Sequence, residues 1–291
     1  MDLQWLHMGL TIENMKRQFG CPIPAAFLEL FRVFYEHSGN DLNKTPNLFW
    51  KVTGMILDDE SGRYPETPPE LFPIGCFGVD GVHYGYVIHA PELEMTDYPI
   101  GEFCPMDSDG AFLLGQNTLE AFENLISGKL RYLLRSAPEG EEYLALLEMS
   151  KIVNHLGIYP AAEKGRRQFG PDGNGFPVRP TSIPEGWRYE VSADGIGVLA
   201  PREVFHPEPY IVRGRSFGSE NWRSCSDEML RQGYPATALL YLKDWLWFGD
   251  RGIPGIGTDE LLERIREVYL QLNKPLLAEV VRRMLIDDFR R

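Results

Sequence analysis

The chain has 291 residues, 43% of them hydrophobic and 24% charged. Those ordinary globular values exclude a collagen, a coiled coil and a chain disordered throughout. The formal charge is −13, from 29 basic and 42 acidic residues, and no uncharged apolar run reaches the roughly 20 residues of a membrane helix.

Residues 41–110 alone hold 3 basic residues (Lys44, Lys51, Arg63) and 13 acidic ones, so most of the excess charge sits in one stretch. A field of that sign repels phosphate backbones and attracts basic partners. Direct binding of nucleic acid is therefore not expected. Met1-Asp2-Leu3-Gln4-Trp5 has no basic segment ahead of an apolar stretch, which points to a cytoplasmic protein. Cys21, Cys76, Cys104 and Cys225 are far apart. They read as small buried hydrophobes rather than as a zinc or redox motif.

The spacing predicts a short helix over 11–19, with Ile12, Met15 and Phe19 on one face. Cys21-Pro22-Ile23-Pro24 is a stiff link, and Pro24 can open a second helix over 25–37. Phe27, Leu28, Phe31, Phe34 and Tyr35 form its apolar stripe, and Ser38-Gly39-Asn40 ends it. Residues 41–70 read as loop-rich, with one apolar run, Leu48 to Leu57, expected as a strand. Strand-like runs follow at Phe72–Phe77, Tyr84–Ile88 and Ile100–Met106. Asp80-Gly81 and Asp107-Ser108-Asp109-Gly110 are the turns between them. Residues 117–127 return to helix, with Leu119, Phe122, Leu125 and Ile126 on one face. Grouped strands with helices at either end indicate an α+β fold with an antiparallel sheet.

A further helix is expected over 141–156, and Gly170 to Gly175 read as a linker between domains. Trp187–Val191 and Ile196–Leu199, joined by the Ala193-Asp194-Gly195 turn, form a second β group, with Tyr210–Val212 as another candidate strand. Four amphipathic stretches close the chain, at about 225–232, 235–248, 258–272 and 275–289. The organisation expected is 1–136 as one domain, 137–175 as helix and linker, and 176–291 as a small β group plus C-terminal helices.

Residues 11–127 resemble the SUKH superfamily, the SMI/KNR-like proteins. The resemblance is carried by Phe19-Gly20-Cys21-Pro22-Ile23-Pro24 between two helices and by the Ser38-Gly39-Asn40 stop. Leu71-Phe72-Pro73-Ile74-Gly75 followed by Val79-Asp80-Gly81 adds to it, as does the closing helix Thr118-Leu119-Glu120-Ala121-Phe122-Glu123-Asn124-Leu125. The usual Asn-Gly-Gly is replaced by Ser38-Gly39-Asn40. The resemblance implies a binding fold without a catalytic centre or cofactor. Many bacterial relatives are thought to act as immunity proteins that neutralise toxin domains, often nucleases. Such toxins tend to be basic, and the acidic stretch suits them.

In the C-terminal part Tyr269 and Ala278 repeat the nine-residue spacing of Met229 and Ala238, 40 residues on. The pair looks similar to two degenerate tetratricopeptide-like units, with an ordinary helical bundle as the plainer reading.

No phosphate-binding loop, HExxH or GxSxG occurs. His83 and His89 flank one strand too far apart to share a metal, and Asp107 and Asp109 do not complete a calcium loop. No metal site is expected. A hydrolase that uses His83 with nearby acids such as Asp80 is a third and less favoured reading. The leading expectation is a protein-binding module that presents Asp58, Asp59, Glu60, Glu66, Glu70, Glu92, Glu94 and Asp97 to a basic toxin domain. The alternative is a regulatory scaffold that binds a peptide or protein through the C-terminal helices.

Overall fold

The computed structural model describes residues 23–57, 63–64, 66–78, 81–93, 95–105, 110–135, 140–161, 177–212, 217–248 and 258–286. The helix expected over 11–19, the turn residues Asp80, Asp107 and Asp109, and the linker over 170–175 lie outside them.

The described chain is mixed α+β, with a five-stranded antiparallel sheet, a two-stranded sheet and helices at the C-terminus. Helix α1 (Ala25–His37) follows Pro24 and buries Phe27, Leu30, Phe31, Val33 and Phe34. Leu28 and Tyr35 sit at the border of that stripe. The run expected as a strand over Leu48–Leu57 is instead mostly helix α2 (Thr45–Thr53). Pro46 starts it, and Gly54 caps it at φ 74, a left-handed conformation that glycine adopts at little cost. Phe49 and Val52, three apart, face inward, and Phe49 packs against Phe34 with ring centroids 4.5 Å apart. Only Ile56–Leu57 remain extended, as strand β1.

Strands β2 (Leu71–Cys76), β3 (His83–Val87), β4 (Ile100–Phe103) and β5 (Ala111–Gly115) complete the first sheet, in the order β1-β2-β3-β4-β5. Helix α3 (Thr118–Arg135) is longer than the expected 117–127, and α4 (Glu141–Leu156) follows as expected. The register pairs Tyr84 with Glu102 and Tyr86 with Ile100. Those side chains therefore share one face of the pleat. That face packs on α1, α2 and α3, through Phe27, Phe49 and Phe122.

The opposite face is covered by the second half of the chain. Leu71, Val87, Phe103 and Ala111 cluster with Val178, Ile196 and Trp247, and the Phe103 and Trp247 rings lie 5.5 Å apart, edge to face. Covering both faces explains why all five residues of β3 are buried instead of alternating.

The second half holds β6 (Trp187–Glu190) paired with β7 (Val198–Pro201). Tyr210–Val212, a candidate strand, joins neither sheet. Four helices follow: α5 (Ser219–Arg231), α6 (Pro235–Phe248), α7 (Thr258–Gln271) and α8 (Pro275–Ile286). They form two hairpins with one turn geometry. Tyr234 N–H bonds to Met229 O at 2.8 Å, and Lys274 N–H to Tyr269 O at 2.8 Å. Gly233 (φ 86) and Asn273 (φ 56) take the left-handed position, and Pro235 and Pro275 start the return helices. Ala238 and Ala278, at 0% and 3% exposure, lie in the buried faces of α6 and α8.

Polar groups join the two halves of the chain. Lys243 of α6, 1% exposed, donates to Glu70 at 2.6 Å and lies 3.0 Å from Asp194. Tyr269 O–H donates to the other Glu70 oxygen at 2.6 Å. Lys274 donates to His89 O at 3.0 Å and to Glu92 at 2.7 Å. Backbone meets backbone where Ala111 N–H donates to Asp194 O at 2.6 Å and Val178 N–H to Gly195 O at 2.8 Å. Gly195 (φ +79) sits so close to Ala111 that a side chain there would overlap its carbonyl oxygen.

Candidate functional site: an aromatic cleft

Of the eight acidic residues singled out from sequence, Glu66, Glu70, Glu92 and Asp97 are among the described residues. Asp58, Asp59, Glu60 and Glu94 lie outside the described residues. Glu66 is half-buried. Glu70 is 2% exposed and belongs to the interior, where Lys243 and Tyr269 hold it, so no docking face includes it. Glu92 is committed to Lys274. Asp97 accepts from Thr118 N–H at 3.0 Å and from its hydroxyl at 2.7 Å, which anchors the first turn of α3. These three acids have partners 21 to 182 residues away, and Glu92 keeps its exposure to water beside Lys274.

The two histidines beside β3 are interior groups. His83 Nδ1–H donates to Gly81 O at 2.8 Å, and its Nε2 meets the Thr67 hydroxyl at 3.1 Å. Burial lowers its pKa to about 4, against the help of the Gly81 carbonyl. His89 Nε2–H is shared between Val178 O at 2.9 Å and Ile196 O at 3.1 Å. Burial, with the Lys243 charge next in size, lowers its pKa to about 3. Both are neutral at pH 7 and sit in the interior. Among the described residues no group of three His, Cys, Asp or Glu is placed to hold a metal ion.

One concave feature was not visible in the sequence. It is a cleft of about 680 Å³ between α2, α3, the start of α4 and the end of the first sheet. Tyr84, Glu102 and Phe112 reach it from the helix-facing side of the sheet, where the register places them together. Trp50 and Gly54 of α2 form one wall; Leu125, Gly128, Lys129 and Tyr132 of α3 form another. Gly128 and Ala145 leave room where larger side chains would fill the space. Trp50, Phe77 and Tyr132 are 44%, 50% and 60% exposed.

One cation organises the mouth. The Lys129 ammonium lies 4.9 Å from the Trp50 ring centre and 5.4 Å from that of Tyr132. Ring faces carry negative potential, so this contact attracts and restrains both rings. Partial burial lowers the Lys129 pKa, and nearby Glu142 opposes that shift. Glu102, Glu141 and Glu142 against Lys51 and Lys129 leave the lining with one excess negative charge. Its volume lies within the range of ligand-binding clefts. Half-exposed aromatic residues beside buried aliphatic ones mark the kind of patch that anchors a partner. It offers shape, apolar area and a slight acidic bias.

Among the described residues no helix is long and apolar enough to cross a membrane. No protein-family model matches the chain, and no curated protein matches it.

Proposed function

We propose that the chain is a non-catalytic protein-binding module whose aromatic cleft receives an apolar, basic-flanked segment of a partner protein. The single observation that carries this reading is the open cleft itself, with Trp50, Phe77 and Tyr132 half-exposed around it and Glu102, Glu141 and Glu142 among its lining. Aromatic side chains give large contact area at little entropic cost, and they dominate measured binding hot spots. The charge of −13 favours a basic partner and steers its approach. The resemblance to SMI/KNR-like proteins gives the reading its biological form: a bacterial immunity protein that binds and neutralises a basic, nuclease-type toxin domain in the cytoplasm. We put the contact surface at the cleft, because Glu70 is buried and Asp97 holds the start of α3.

Site-specific photo-crosslinking tests the location. A photoreactive phenylalanine analogue at Tyr132 is compared with one at Tyr159, which is 79% exposed and does not line the cleft. In the native host the expected result is one basic protein crosslinked at Tyr132 and not at Tyr159. Equal crosslinking at both positions, or none at Tyr132, contradicts the proposal.

A further inference from the structure

The two C-terminal hairpins enclose a second concavity, independent of the aromatic cleft. Helices α5 and α7 face each other across a groove of about 420 Å³, with Leu242 of α6 between them. Asp227, Glu260, Glu263 and Glu267 line it against a single cation, Arg264. Arg264 pairs with Asp227 at 2.6 Å, Arg223 from outside the lining with Glu260 at 2.7 Å, and Arg266 with Glu263 at 3.0 Å. Glu267 makes no ion pair among the described residues, which leaves an uncompensated carboxylate in the groove.

A second observation is independent of charge. Ser226, also in the lining, is 0% exposed, yet its hydroxyl has no hydrogen-bond partner. One turn earlier on α5 the Trp222 indole N–H is likewise buried and unpartnered. The Trp222 ring is stacked on Phe248 with 9° between the planes, so the N–H has a set direction. Buried polar groups are nearly always paired, and two orphans four residues apart lie on one side of a helix. An indole N–H can only donate, and a hydroxyl donates or accepts. Trp222 does not line the groove, so Ser226 sets the partner: its O–H is satisfied only by an acceptor, and the unpaired Glu267 calls for positive charge. A simple polyamine supplies the charge without the acceptors, whereas a peptide supplies both, through its carbonyls and a basic side chain.

We infer that the groove between α5 and α7 binds a peptide segment of a partner protein, with an arginine or lysine side chain directed at Glu263 and Glu267 and the peptide backbone at Ser226. The inference does not rest on the aromatic cleft, whose walls are other helices.

The test uses the full chain, fluorescently labelled, on an array of short peptides with one central arginine in varied surroundings. A matched array carries citrulline, which keeps the shape and removes the charge. Calorimetry on the best binder then compares variants. Binding is expected on the arginine array alone. It should weaken by about tenfold or more in Glu263→Gln/Glu267→Gln, whose residues are exposed. It should also weaken in Ser226→Ala and persist in Trp50→Ala/Tyr132→Ala. Equal binding to both arrays, no binding to either, or loss in the cleft variant with retention in the groove variants would each overturn the inference.

Discussion

Lys243 has almost no water around it, and its charge survives because Glu70 and Asp194 accept it. Burial pulls its pKa down, but the two carboxylates outweigh that and hold it above the ordinary lysine value. Asp194 is in turn held by Ser192 O–H at 2.6 Å and Ile196 N–H at 2.9 Å. Removing one member of such a group leaves a buried charge uncompensated, which costs about 3–5 kcal/mol. Lys243→Ala should lower the unfolding free energy by that amount in denaturant titration. Glu70→Gln combined with Lys243→Met should recover part of the loss, because no charge is then stranded at Glu70. The buried histidines set a pH dependence. Their pKa values of about 4 and about 3 lie below the 6.5 of an unfolded histidine. Below pH 6.5 the unfolded chain takes up protons that the native chain refuses. The stability these two groups contribute is complete above that pH and falls toward pH 4, by up to about 1.4 kcal/mol per pH unit for each group. Midpoints of urea unfolding from pH 7 to pH 4 should show this slope, and His83→Gln should make it shallower.

At the scale of elements, local signals located most helices and turns. Pro24 and the Phe27–Phe34 spacing marked α1, and the Ala193-Asp194-Gly195 turn is where β5 meets the second half. The 40-residue repeat of Met229/Ala238 in Tyr269/Ala278 corresponds to two hairpins with matching turns. The run from Leu48 to Leu57 misled because its apolar and β-branched residues suit a strand, while the helix is set by Pro46, Gly54 and the Phe34 contact. Strand β5 was absent from the strand-like runs because Ala111–Gly115 is five residues with no polar alternation. Asp97 shows what sequence hides: an acid in a loop that holds the start of α3 from 21 positions upstream. Asp97→Ala should cost about 1 kcal/mol, as loss of a helix cap does, with the thermal midpoint as readout. Gly195→Ala should cost more, because the added methyl meets the Ala111 backbone in a left-handed conformation.

In the whole molecule the two halves share an interior. The first sheet is enclosed by α1–α3 on one side and by Val178, Ile196 and Trp247 on the other. Nothing in the local sequence pairs Glu70 with Lys243, which is 173 residues away. The cleft was hidden for the same reason, since its lining runs from Trp50 to Ala145 across three strands and three helices. The intact chain should unfold in one transition, with tryptophan fluorescence and far-ultraviolet dichroism coincident. A chain ending at residue 170 should expose the Leu71, Val87 and Phe103 face and bind a hydrophobic dye. Trp247→Ala, which opens that seam, should cost about 3–5 kcal/mol.

The central claim is that the cleft is where a partner binds. The most direct measurement is capture from native lysate at low and high salt, with the intact chain and with Trp50→Ala/Tyr132→Ala as baits. The intact chain should retain a basic protein, more strongly at low salt. The variant, folded by dichroism, should lose that protein at both salt concentrations. Equal retention of the same protein by both baits would contradict it.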